Sequence, residues 1–399
     1  MDSKKKRSHN VYVGAESGLL KGVSINPKEN RYKNFHRLKS LSKEHEITAL
    51  TWVSEGEILF GTRGQRVSGF DPSDDSFSSG RHAEEGSGAP IVGLGRLPDE
   101  TLVTAYGSGI VKIWRSSAES FNILDREVIL SSTHGRKKKK KALNNPDVDS
   151  QTAEATIGSL KKGKNLRVAK LNGNLLASGG QEHDLHITDL EAGAVTFRAK
   201  NVPPDSLQLR VPVWVSDLLF LEEERILSYV SRHSHIRLYD VRAQRRPLVS
   251  FGYPNKEPLT CMALTHDSKG VLVGSSQGGL AHFDLRMGLK GMVKKYKGSV
   301  GSIRSIAYEN GHFAAVGLDR FIRIYSLEKR IKQSRLYLKS RLNHVVLRKG
   351  FDPDFEEDLT EESEVVILED DEEIIWSDME TVDEEPVPSK KKKKNKSTC

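Results

Sequence analysis

Ile303-Arg304-Ser305-Ile306-Ala307-Tyr308, Asn310-Gly311, Phe313-Ala314-Ala315-Val316-Gly317, Leu318-Asp319-Arg320 and Phe321-Ile322-Arg323-Ile324-Tyr325 follow one another within residues 302–348. Short runs of branched and aromatic residues, punctuated by Asn, Gly and Asp, read as three strands joined by tight turns. A fourth strand is expected over residues 335–338. The stretch is one four-stranded unit.

The unit recurs. First strands spelled apolar-x-small-apolar-x-apolar begin at Ile47, Ile91, Leu166, Val215, Leu259 and Ile303, the third being the poorest match. Successive starts lie 44, 75, 49, 44 and 44 residues apart. A period of about 40–45 residues with four strands per unit marks a propeller blade of the WD type. The interval of 75 is one period of 44 with 31 residues added, so one blade carries an insertion. Pairs such as Phe70-Asp71, Tyr239-Asp240 and Phe283-Asp284 stand where such repeats carry Trp-Asp, and the period carries the assignment.

Counting blades needs both ends of the repeat. Val11-Tyr12-Val13-Gly14 and Leu19-Leu20-Lys21-Gly22-Val23 resemble the second and third strands of a unit without a first. Leu342-Asn343-His344-Val345-Val346-Leu347 is a first strand without a unit. The economical solution is all-β: a seven-bladed WD40-type β-propeller over residues 10–349, its last strand completing the first blade. A closed ring leaves few open sheet edges. Residues 1–9 form a basic extension and 350–399 a tail, acidic over 351–385 and lysine-rich over 390–396. That composition predicts a disordered tail, and residues 131–164 predict a lysine-rich surface loop, disordered when free.

With 36% hydrophobic residues in 399, the chain can bury one large core. No run approaches the roughly 18 apolar residues of a membrane span. Met1-Asp2-Ser3-Lys4-Lys5-Lys6-Arg7 has no apolar segment behind it, so no secretory signal is expected. Two cysteines, Cys261 in a strand and Cys399 in the tail, form no disulfide framework, which predicts a reducing compartment.

Charge is divided sharply. Residues 351–389 hold 18 of the 54 acidic residues and no Lys or Arg, while 390–396 hold six lysines. Residues 1–350 retain 56 basic and 36 acidic residues, a net of +20. A body of this charge seeks polyanions through salt-sensitive phosphate contacts. Lys137, Lys138, Lys139, Lys140 and Lys141 read as an RNA backbone contact, without interleaved aromatics for base stacking. Lys390, Lys391, Lys392, Lys393, Lys394 and Lys396 read as a nuclear or nucleolar targeting signal. Ile375, Trp376 and Asp378, amid acids, suit docking into a basic, apolar groove.

Catalytic signatures are weak. Gly158-Ser159-Leu160-Lys161-Lys162-Gly163-Lys164 approaches a phosphate-cradling loop, but Asn165 replaces the magnesium-binding hydroxyl. His183, His186, His233 and His235 cluster at hairpins without the Cys or paired carboxylate of a metal set. No nucleophile elbow is present. No enzyme activity and no cofactor are expected.

Several spellings are specific. Val11-Tyr12-Val13-Gly14 with Gly18-Leu19-Leu20-Lys21-Gly22-Val23, Arg198-Ala199-Lys200-Asn201-Val202 with Leu209-Arg210-Val211-Pro212-Val213-Trp214, Gln244-Arg245-Arg246-Pro247, Gly317-Leu318-Asp319-Arg320, and Tyr337-Leu338-Lys339-Ser340 with Leu342-Asn343 resemble the WD-repeat-containing protein 74 family. The likeness spans residues 10–348 and returns at 373–379; the 131–164 insertion departs from it. The resemblance implies a nucleolar assembly factor bound to precursors of the large (60S) ribosomal subunit, among other assembly factors and pre-rRNA. It also implies removal by a nucleolar AAA ATPase and a link to the RNA exosome helicase. Matched positions carried over as a protein- or RNA-binding surface are Arg198, Lys200, Asn201, Arg210, Trp214, Arg245, Arg246, Lys339 and Asn343. The alternative reading is a nuclear WD40 adaptor that takes a peptide or histone in the ring centre.

Overall fold

The computed structural model describes residues 9–353 except 27–29, 38–39, 55, 79, 84–87, 116–122, 130–164, 205, 222–225 and 267–269. The five-lysine run, the phosphate-loop-like stretch, Ile375, Trp376, Asp378 and the tail lysines lie outside the described residues. Antiparallel strands form seven sheets, one per blade. Among the described residues the helical turns, Lys43–His45 and Leu285–Gly291, are 3-10, and no helix is long and apolar enough to cross a membrane.

The first blade has the order Leu342–Leu347, Val11–Ala15, Leu20–Ser24, Arg31–Asn34. Val11 pairs with Leu347 and Val13 with Val345, so the C-terminal strand closes the ring beside the N-terminal one. Seven inner strands line the axis: Leu342–Leu347, Ile47–Ser54, Ile91–Arg96, Leu166–Asn172, Val215–Phe220, Leu259–Leu264 and Ile303–Glu309. Each packs on the inner strand of the next blade, and Leu342–Leu347 meets Ile47–Ser54.

Turn chemistry and packing explain these elements. Glu309 pairs with His312 across Asn310 (φ 44°) and Gly311 (φ 76°), the two positive dihedrals a two-residue hairpin turn requires. Between blades, a second-strand glycine faces the branched first residue of the following inner strand. A Cβ on Gly14, Gly61, Gly179 or Gly274 would stand 2.8, 3.0, 2.8 or 3.0 Å from Ile47, Ile91, Val215 or Ile303. Bare backbone here lets sheets stack face to face.

Two strand expectations are corrected. The last blade's outer strand runs Ile331–Tyr337, not 335–338, because alternating polar residues on this outer edge hide it from a hydrophobic reading. The second blade has a fifth strand, Arg81–His82, too short to carry a pattern. The long period follows the third blade, whose outer strand Ile123–Ile129 precedes residues 131–164.

Candidate functional site

Every inner strand breaks register at its second residue. Leu166 opposes Gly180 and Val168 opposes Gly179, leaving Arg167 bulged between them. Equivalent bulges fall at Asn343, Thr48, Val92, Ser216, Thr260 and Arg304. A bulge re-aims the side chain of its extra residue. All seven line a central channel of about 830 Å³.

A second tier stands outside this ring. Arg63, Arg232, Ser276 and Leu318 each follow a second strand, and their N–H groups donate to Glu46, Trp214, Pro258 and Ser302 carbonyls at 2.8, 3.0, 2.8 and 3.1 Å. Those acceptors precede inner strands, so the tier sits on the face where inner strands begin.

The two tiers divide their duties. Thr260 Oγ1 donates to the Ile303 carbonyl at 2.6 Å, and Asn343 Nδ2 donates to that of Ile47 at 3.1 Å, each fastening a bulge to the next blade. Arg63 pairs with Glu46 at 2.6 Å, and the Arg232 guanidinium lies 5.2 Å from the centre of the Trp214 ring. The Arg167 and Arg304 side chains make neither a hydrogen bond nor an ion pair among the described residues. Desolvation inside the mouth, then the nearby charges of Arg232, Arg304 and Arg63, hold the Arg167 pKa below its ordinary value. Further in, Lys170 meets Asp217 at 2.9 Å.

A basic patch occupies the rim between the fourth and fifth blades. The Lys200 N–H donates to the Arg245 carbonyl at 2.7 Å, and Arg245 Nε donates to that of Arg198 at 2.7 Å. Lys200, Arg245 and Arg246 face solvent, with Arg198 half-buried. Asn201 works inward: Arg237, 2% exposed, donates to its Oδ1 at 2.8 Å and to the Tyr229 hydroxyl at 2.8 Å. Burial raises the Tyr229 pKa well above its usual value, so the hydroxyl stays protonated beside that guanidinium.

Of the family-derived surface residues, Arg198, Lys200, Arg245 and Arg246 therefore come together. Arg210 instead pairs with Glu182 at 3.1 Å, Trp214 lines the mouth, and Lys339 and Asn343 lie where the seventh blade joins the first. Asn343 is 7% exposed. Sequence reasoning missed Arg63, Arg167, Arg232 and Arg304. The signal was present: aligning the repeats places Arg167 and Arg304 at one blade position and Arg63 and Arg232 at another. Among the described residues no group of three His, Cys, Asp or Glu could hold a metal ion. The His183 and His186 rings meet edge to face at 4.9 Å.

The chain is 32% identical to WD repeat-containing protein 74 of Homo sapiens over 385 residues, 94% of this chain and 90% of that protein. It belongs to the WD repeat-containing protein 74 family. The Mus musculus member is 32% identical over 351 residues, covering 86% of this chain and 82% of its own length. Ribosome biogenesis protein NSA1 of Yarrowia lipolytica is 27% identical over 241 residues, covering 52% of this chain and 57% of its own length. No family model matches the chain.

Proposed function

We propose that this chain is a non-catalytic ribosome biogenesis factor, a scaffold on nucleolar precursors of the large (60S) ribosomal subunit. It supports pre-rRNA processing among other assembly factors and is released by a nucleolar AAA ATPase, with the exosome helicase acting nearby. Family membership and the relatives named as ribosome biogenesis proteins support this reading. The observation that carries it is the rim cluster of Arg198, Lys200, Arg245 and Arg246, in which the Lys200 N–H and the Arg245 side chain tie two blades together. Clustered, solvent-facing cations suit a phosphate backbone, and each neutralised phosphate adds about one unit to the salt slope.

The test is recovery of tagged full-length chain at about 50 and 200 mM salt, with co-purifying large-subunit pre-rRNA quantified. The reading expects strong recovery at low salt, a steep fall with salt, and a shallower fall when the four rim cations become Gln. Absence of large-subunit precursors at low salt would sink it. Of the alternative, an adaptor taking a peptide or histone in the ring centre, the histone form fits poorly with the mouth, since a basic tail would meet Arg63, Arg167, Arg232 and Arg304.

A further inference from the structure

The channel mouth has a composition that the rim-based reading leaves unused. Four guanidiniums converge on it from four blades: Arg63, Arg167, Arg232 and Arg304. Glu46 compensates Arg63 alone, and Glu46 also accepts from Asn343 at 3.0 Å. Asp217, the other channel acid, is engaged by Lys170 and by the Met262 N–H at 2.9 Å. Arg167 and Arg304 thus bring charge into a concave space with no anion among the described residues to meet it. Water fills such a mouth at the cost of like-charge repulsion, which an entering oxyanion relieves.

The surroundings narrow the occupant. Below the charged mouth Leu50, Leu94, Leu171 and Ile306 line the channel among polar side chains such as Thr51, Lys170, Asp217 and Ser305. Val300, 73% exposed, stands on the connection into the seventh blade's inner strand on the same face. The Trp214 ring at the mouth already carries the Arg232 guanidinium and meets the His233 ring edge to face, which makes it a poor stacking platform for a base. A cationic entrance above a wall of mixed polar and apolar side chains matches an extended, carboxylate-rich segment that also carries apolar side chains.

We propose that the mouth ringed by Arg63, Arg167, Arg232 and Arg304 is a receptor for an acidic, apolar-containing peptide segment of a protein partner. Arg167 and Arg304 hold its carboxylates, while the channel wall takes the apolar side chains. Charge attracts the segment, and the fixed bulges set its register.

The test uses the full chain and a fluorescein-labelled peptide, Glu-Glu-Leu-Glu-Glu-Leu-Glu-Glu, with a Gln-for-Glu analogue and octauridylate as competitors. The expected result is saturable binding of the acidic peptide, weakened about tenfold or more in Arg167→Gln/Arg304→Gln. Binding should return in Arg167→Lys/Arg304→Lys and be unchanged in Arg245→Gln/Arg246→Gln. Thermal unfolding of all variants separates lost binding from lost fold. The proposal is overturned by no binding to the parent chain, by equal weakening in the rim variant, or by octauridylate displacing the peptide more strongly than unlabelled peptide does. Recovery of pre-rRNA by the same mouth variants reports on the proposed function separately.

Discussion

Asn343 donates its amide to the backbone carbonyl of Ile47 at 3.1 Å, joining residues 296 positions apart. The strand that completes the first blade is thereby pinned to the second. The same amide reaches the Glu46 carboxylate at 3.0 Å, so one side chain bridges the two chain segments on which ring closure depends.

Asn343→Ala leaves the Ile47 carbonyl and one Glu46 oxygen without this donor in a buried seam. A loss of about 1–3 kcal/mol is expected, read from urea unfolding. Loosening the closing strand also bares the edge of Val11–Ala15, so light scattering at moderate temperature should rise before global unfolding. An unchanged urea midpoint would show that strand pairing alone secures the ring.

Asn201→Leu addresses a different seam. Arg237 is buried and shares its guanidinium between Asn201 and Tyr229, with its charge over the Tyr229 ring at 5.7 Å. Removing one partner of a buried cation costs on the order of 3 kcal/mol. Asn201→Asp keeps the acceptor for Arg237 and adds a counter-charge, but replaces the Nδ2 that donates to the Val211 carbonyl at 2.6 Å with an oxygen, so it should recover only part of that stability. If Leu and Asp behave alike, Asn201 acts only through packing.

The ring was legible because each blade repeats one physical solution. A branched residue opens every inner strand, a small one follows two positions later in four of the seven (Ala49, Gly93, Cys261 and Ser305), and several second strands carry a glycine near their end, such as Gly179 or Gly274, against which the next blade packs. That solution imposes a period independent of Trp-Asp spelling. The outer strands were less visible, since Ile331–Tyr337 faces water over much of its length and obeys weaker patterning. The mouth was missed for another reason, although the aligned repeats carry its signal. Arg167 and Arg304 occupy the second position of an inner strand, which ordinary pleating would give no special direction and which a bulge turns toward the axis, while Arg63 and Arg232 stand just past a second strand. Asn201 and Asn343 were singled out by spelling, yet each is tied into the scaffold.

Gly179→Val tests the packing rule. Its Cβ would lie 2.8 Å from a Val215 methyl and 2.9 Å from the Val215 Cβ, so the fourth and fifth blades must separate or their side chains leave favoured rotamers. About 1–3 kcal/mol of overpacking strain is expected. The combination with Val215→Ala should restore part of it, giving a favourable coupling in a double-mutant cycle. Simple additivity would mean that the strain is absorbed elsewhere.

His344 gives the ring a dependence on acidity. It lines the channel, and burial pushes its pKa down to about 4. A backbone hydrogen bond with Thr48 and the charge of Asp217 oppose the shift, while Lys170 and Arg304 reinforce it. The unfolded chain takes up this proton near pH 6.5 and the folded chain only near pH 4, so stability is complete above pH 6.5 and falls between the two values. A shift of this size corresponds to about 2–3 kcal/mol once the lower value is reached. His9, His36 and His235 also sit below the usual histidine value through burial, so the parent chain should lose stability to several groups at once. The measurement is therefore a difference: urea unfolding of the parent and of His344→Asn at pH 7.5 and 4.5. The variant should lose less on acidification, by most of the His344 share, and parallel losses would place the acid sensitivity in the other three histidines.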